Sequence, residues 1–463
     1  MPQLASTQGA LCAPWLDRIN QNGEGEAAPN GGGFTGGAAT KADLQTAVQK
    51  IRALHLPIST FGVEGWQSVP DGQHFFPWLR SRHFDLVAYW NPFLAPNNPV
   101  TSQAVAQGVE VKDVNGQPYP VVTNRGNYSY VVDFTNPNAQ AFWNQQLARS
   151  CALGFEGTHA DFGEYVIDGM QFHDGSSPAV EHNRYPIQYA RATRTALAAC
   201  NRRNPFFYVR AGFSPVDDLP GSLRFTPAVI VGDESTDWSR GGGIASLPPA
   251  MLNLAMGGGT TFIGDIGGYF DLYTPPTTAE LFTRWSQLSA LTPVMRIHDD
   301  TIHGSLYPWS FDAATLDAYR RYARLKVRLV GLVDHWSRLA ARTGLIGPVR
   351  PLVLDDPSPA AGEIGDEWLL GPDLLAAPVI VEGARSRRVY LPAGARWQQV
   401  TVSQSGRLVG LGAPQLGGQT VTAPAPLTDI PLYVRVFPGS QRGSCYGADL
   451  RGVVAGRVCR AYR

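Results

Sequence analysis

The chain is 463 residues long, and its 38 Lys+Arg are balanced by 38 Asp+Glu for a formal net charge of zero. Hydrophobic residues make up 44% and charged residues only 16%, which excludes global disorder and leaves no basic footprint for nucleic acid. Fifty glycines and 36 prolines call for long loops around a sizeable core. Only Lys41, Lys50, Lys112 and Lys326 are lysines, and the arginines are scattered rather than gathered into a patch. The opening MPQLASTQGALCAPWL lacks a basic stretch leading into an apolar one, so no signal peptide is expected. No run reaches the roughly 18–20 apolar residues of a membrane span, so no membrane partner is expected. The compartment and the oligomeric state stay open.

Taken in chain order, a glycine-rich patch at 31–37 reads as a surface loop. A helix is predicted over 40–54, with Leu44, Val48, Ile51 and Leu54 on one face. Apolar strand-like runs are then predicted at 57–63, 84–90, 154–160, 206–209, 228–231, 261–263 and 292–295, with a first strand near 10–19. Helices are predicted over 138–152, 188–200, 244–255, 278–290 and 313–343. Each of the seven later strands runs into a polar or glycine-containing stretch: Glu64, Asn91, Asp161, Arg210, Asp233, Asp265 and His298. Functional groups recurring at strand ends favour a closed (β/α)8 barrel over an open doubly wound sheet, which gathers them at one switch point. From 351 to 438 the texture becomes short strands and turns, predicting an appended antiparallel β-sandwich. The expected domains are a barrel over 1–348, a sandwich over 349–440 and a cysteine-containing tail over 441–463.

The densest chemistry is His159-Ala160-Asp161-Phe162-Gly163-Glu164-Tyr165. A second constellation is Gly232-Asp233-Glu234-Ser235-Thr236-Asp237-Trp238. Two carboxylates at the ends of different barrel strands suit glycoside hydrolysis, which needs one ionised and one protonated acid. The alternative is that each Asp caps a helix or pairs with an arginine. No cofactor is called for. The five cysteines form no CxxC pair, no Walker loop or GxSxG elbow is present, and His298, Asp299, Asp300 and His303 lack the helical spacing of a zinc site. A disulfide between Cys445 and Cys459 is left as an open alternative to free thiols.

The order of these segments resembles glycoside hydrolase family 31. The match is carried by His159–Tyr165, Arg210–Phe213, Gly232–Ser239, Gly264–Tyr269, Pro293–His298 and Leu370-Gly371-Pro372-Asp373-Leu374-Leu375-Ala376-Ala377-Pro378-Val379. It implies a retaining exo-acting α-glycosidase with a carbohydrate substrate and no metal. Asp161 would be the nucleophile and Asp233 the general acid and base, its protonation favoured by burial and neighbours. Arg210 and His298 would contact the sugar, and Asp265 would support the pocket. Glu64, Trp66 and Trp238 would line it, and Glu164 would support from behind. The Asp-Phe-Gly-Glu string is similar to α-xylosidases and sulfoquinovosidases, and in the latter Tyr269 would help hold a sulfonate. The arginine-x-x-tryptophan sulfonate motif of those relatives is missing after the second strand, where the chain reads Gln67-Ser68-Val69-Pro70-Asp71-Gly72. Alternatives kept open are sulfoquinovoside or α-xyloside specificity, α-glycosyl transfer, and a barrel that binds carbohydrate without cleaving it.

Overall fold

A computed structural model describes residues 15–19 (main chain only), 41–69, 71–96, 98–123, 128–200, 206–213, 219–226, 228–269, 274–299 and 306–436. The glycine patch at 31–37, the Cys445 and Cys459 pair, and Asp300 and His303 lie outside the described residues. Of the described chain, 41–50 and 60–230 belong to one compact unit, and 51–59 and 231–436 to a second.

A strand β1 (Trp15–Ile19) opens the described chain. The first unit is then built on β2 (Thr60–Glu64), β3 (Asp85–Trp90), β4 (Gly157–Ala160), β5 (Phe206–Val209) and β6 (Ala228–Ile230). Neighbours in this series pair parallel. Every residue of β4 and β5 is buried, as expected of a parallel sheet covered on both faces. The register decides what comes together at the strand ends. Val63 pairs with Ala88, Tyr89 with His159 and His159 with Tyr208, so Glu64, Tyr89, His159 and Tyr208 form one row. Asp161 and Arg210 follow two residues later on the same face of their strands.

Helices α1 (Lys41–Ala53), α2 (Gly72–Ser81), α3 (Pro99–Gln107), α4 (Ala139–Ala152) and α5 (Pro178–Ala199) connect these strands. Asn98 caps α3 and Ser177 caps α5 through side-chain oxygens, each followed by a proline at the first helical position. A disulfide joins Cys151 on the last turn of α4 to Cys200 just past α5. Helix α5 starts ten residues before its expected start. Pro186 lies inside it and reads as a breaker, but the ring is tolerated within a long buried helix.

The second unit holds β7 (Thr261–Ile263), β8 (Arg296–Asp299), α6 (Leu247–Met256), α7 (Ala279–Ser289) and α8 (Ala313–Thr343). Strand β8 corrects the expected strand at 292–295, which is buried loop instead. The run Thr292–Met295 is apolar because it is covered, whereas the strand begins at a buried arginine. Lys326 of α8 is wholly buried, its ammonium donating to the carbonyls of Thr292 and Pro293.

The C-terminal region is antiparallel. Strands β9 (Val349–Pro351), β10 (Trp368–Leu370), β11 (Leu374–Ala376), β12 (Ser386–Leu391), β13 (Arg396–Val402), β14 (Leu408–Leu416), β15 (Gln419–Pro424) and β16 (Leu432–Val436) divide into two sheets. One has the order β9-β10-β11-β16-β13-β14, and the other pairs β12 with β15. Leu369, Leu375, Trp397 and Tyr433 from the first share a core with Val389, Leu391 and Ala423 from the second, which makes the sandwich. Strands β13 and β14 were not anticipated. Their mixed glutamines, glycines and arginine hide the alternation of a half-exposed hairpin.

Candidate active site

In the first unit the strand-end row assembles a dense polar cluster. Asp161, 8% exposed, accepts a 2.7 Å hydrogen bond at Oδ2 from the Tyr89 hydroxyl. Its Oδ1 lies 3.6 Å from Arg210 Nε and 3.6 Å from His159 Nε2. The other histidine nitrogen, Nδ1, lies 3.6 Å from Glu64 Oε1. Arg210 also pairs closely with Glu164, and its guanidinium sits 3.8 Å from the centre of the Phe162 ring. Burial works against a charged Asp161, but His159, Arg210 and the Tyr89 hydroxyl outweigh it and hold the carboxyl well below its ordinary value. Burial likewise opposes a charged His159, yet Asp161 and Glu64 raise its pKa above the ordinary imidazole value.

The turn after β4 places Phe162 at φ 59° and Gly163 at φ 110°. The glycine is natural there, but the left-handed conformation of a phenylalanine costs on the order of 1–3 kcal/mol and persists where surroundings enforce it. Here the enforcing contacts are Arg210 on the ring, and Phe93 and Tyr165 against it.

The structure thus gathers Glu64, Asp161, Arg210 and Glu164 into one cluster with His159, and Trp66 lies apart from it. Trp66 is 3% exposed, rests against Trp90 and Phe155, and donates its indole N–H to the Tyr89 carbonyl. In place of a sugar platform it is a core residue, its indole covered by neighbouring rings.

The second unit carries its own cluster. Asp265 and Arg296 are both fully buried, with Arg296 Nε and Nη2 at 2.7 and 2.6 Å from Asp265 Oδ1. His298 Nδ1 lies 3.4 Å from Asp265 Oδ2, and the Tyr269 ring stacks on His298 at 4.6 Å. Burial acts to raise the Asp265 pKa, but Arg296 and His298 prevail and lower it. Glu234, 3% exposed, accepts the Asp265 N–H at Oε2, and its carbonyl accepts the Tyr269 N–H. Burial, then the Asp265 charge, push the Glu234 carboxyl well up. Asp233 itself is exposed and Trp238 half-buried. The burial expected to favour a protonated Asp233 therefore falls on the next residue.

Sequence reasoning left His159, Tyr89, Glu234 and Arg296 without roles. For His159 a signal existed, since two residues before Asp161 on a strand is the same face. For Arg296 none did, because its partner is 31 residues away on another element.

The family's own sequence models decide the membership. The model described as the glycosyl hydrolases family 31 TIM-barrel domain matches residues 34–333, and that of the family's C-terminal domain matches 346–436. The chain belongs to glycoside hydrolase family 31. Its fold is accordingly a TIM barrel followed by a C-terminal antiparallel β-domain. A sulfoquinovosidase of Escherichia coli (strain K12) is 33% identical over 353 residues, 75% of this chain and 49% of that protein. A sulfoquinovosidase of Agrobacterium fabrum is 29% identical over 421 residues, 85% of this chain and 60% of that one. The chain thus spans about half to three fifths of the length of these curated relatives. Among solved structures, a family 31 sulfoquinovosidase from E. rectale, in complex with the aza-sugar inhibitor IFGSQ, superposes with a TM-score of 0.80. It is 22% identical, and the match covers 96% of this chain and 64% of that one; at this identity it speaks for the fold alone.

Proposed function

We propose that the chain is a retaining exo-acting α-glycoside hydrolase. The observation that carries the reading is Asp161. It is a buried carboxylate at the C-terminal end of a strand, kept ionised by a cationic and hydroxyl surround, in a chain of this family. In the first step Asp161 Oδ attacks the anomeric carbon, the bond to the leaving oxygen breaks, and Asp233 gives that oxygen its proton. In the second step Asp233 takes a proton from water, the water oxygen bonds to the anomeric carbon, and the bond to Asp161 breaks. Arg210 orients Asp161 against Glu164. Glu64 and His298 present polar atoms to sugar hydroxyls, Asp265 fixes His298, and Tyr269 and Trp238 offer ring faces.

The substrate we favour is a neutral α-glucoside-like sugar at a non-reducing end. Arg210 and Arg296 each pair with carboxylates, so neither brings an uncompensated charge to an anion. A sulfoquinovoside is the second reading, favoured by the names of the two curated relatives.

Aryl α-glucoside, α-xyloside, α-galactoside and α-sulfoquinovoside, assayed side by side, separate these readings. A fluorinated α-glycosyl inactivator should leave its adduct on the peptide containing Asp161, and Asp161→Asn should lose more than about a thousandfold in turnover. An adduct on another residue, or wild-type-like turnover by Asp161→Asn, would overturn the assignment. A barrel that only binds sugar would give no adduct at all.

A further inference from the structure

The Glu64–His159–Asp161 row contains a group that the proposed mechanism does not use. His159 is 4% exposed, and each ring nitrogen is 3.6 Å from one carboxylate oxygen. Among the described residues, neither nitrogen has a conventional hydrogen-bond partner. A neutral imidazole carries one N–H and one lone pair. In this position its lone pair would be directed at a carboxylate oxygen whichever tautomer formed. Only the doubly protonated ring offers a donor to both sides. The charges agree: Asp161 and Glu164 already share the guanidinium of Arg210, and Glu64 faces the other side of the imidazole. The described rings against the imidazole are phenols, with Tyr208 stacked on its face at 4.4 Å and Tyr89 edge-on at 5.1 Å. An electron-rich ring face stabilises a cation lying over it.

We propose that His159 is a positioning residue that holds two protons, bridges Glu64 to Asp161, and so aims the nucleophile and keeps it ionised. This rests on the reading of Asp161 as nucleophile. The bridging histidine touches no substrate and transfers no proton. Both its protons stay in place through the cycle, one directed at Asp161 Oδ1 and the other at Glu64 Oε1. It also fixes the Glu64 carboxylate.

Two measurements test it. In protein labelled with 15N-histidine, the ring-nitrogen signals that vanish in His159→Gln belong to His159. They should show both nitrogens protonated at pH 7. A single-protonated ring there overturns the proposal. The second measurement is the pH profile of kcat/KM on the aryl α-glycoside that is cleaved. Removing the cation raises the nucleophile's pKa, so the acidic limb in His159→Gln should move up by about 1–2 pH units. His159→Lys, which restores a cation, should return the limb towards wild type. A merely structural role would lower the folded fraction and leave the limb where it was, and an unmoved limb in His159→Gln overturns the proposal. If no aryl α-glycoside is cleaved at all, the functional reading fails, while the nitrogen spectrum still decides the protonation of His159.

Discussion

Glu234 is 3% exposed and shares its surroundings with Asp265, yet the two carboxyl groups are driven in opposite directions. Asp265 has Arg296 and His298 to favour its charge; Glu234 has burial and the Asp265 charge against its own. A carboxyl whose folded pKa is raised keeps its proton while the unfolded chain releases one. The stability it lends is whole below the unfolded value near 4.5 and drains away as pH rises towards the folded value. Glu234→Gln keeps the shape and removes the titration. We therefore expect the melting temperature of wild type to fall more between pH 5 and pH 8 than that of Glu234→Gln. Parallel slopes in differential scanning calorimetry would refute this. The strand-end placement of Asp161 and Arg210 was legible because each directly follows an apolar strand. His159 was in plain view but had no assignable role, since Glu64, which gives it one, arrives from β2 through the register of two intervening strand pairs.

Among the elements, strands β5 and β7 were readable to the residue, because both are short, apolar and bounded by polar or glycine residues. Strand β8 was not, because Arg296 heads it and a hydrophobicity reading stops at the covered loop before it. Helices α2 and α3 escaped as well: α2 carries Pro77 inside it, and α3 is only nine residues long. The pairing of helices α4 and α5 was equally hidden, as no spacing rule links Cys151 to Cys200 across 49 residues. That cross-link limits the unfolded ensemble, which for a loop of this size stabilises a fold by about 2–4 kcal/mol. Replacing both cysteines by serine should lower stability by that amount in urea unfolding, and reduction of wild type should give the same midpoint. Unchanged stability on reduction would mean the bond does not constrain the folded chain.

On the scale of the whole molecule, the C-terminal sandwich is fastened to α7 by Arg284 together with Gln287, which donates to the Leu427 carbonyl, and Glu280, which pairs with Arg385. Arg284, 1% exposed, donates to the carbonyls of Ala384, Ala425, Pro426 and Asp429 at 2.7 to 3.2 Å. Arg284→Met would leave these acceptors without their donor, at about 1–3 kcal/mol for each one kept from water. A loss of at least about 3 kcal/mol is expected. Limited proteolysis should then cut the segment 381–430 before the barrel helices, and simultaneous loss of both would show that the fastening lies elsewhere. The long helix α8 and the sandwich texture after 351 were legible at this scale; the arginine that joins α7 to the sandwich was not, because its acceptors there are main-chain carbonyls, which leave no mark in the sequence.

The scarcity of lysine has a practical side. Lys326 is sealed in with its ammonium spent on two carbonyls, so of the four lysine amines only those of Lys41, Lys50 and Lys112 face the reach of an amine-directed reagent. All three belong to the first unit. Coupling through lysine side chains to a bead, a dye or a sensor surface would therefore attach the molecule by that unit alone, a handedness of immobilisation built into the composition.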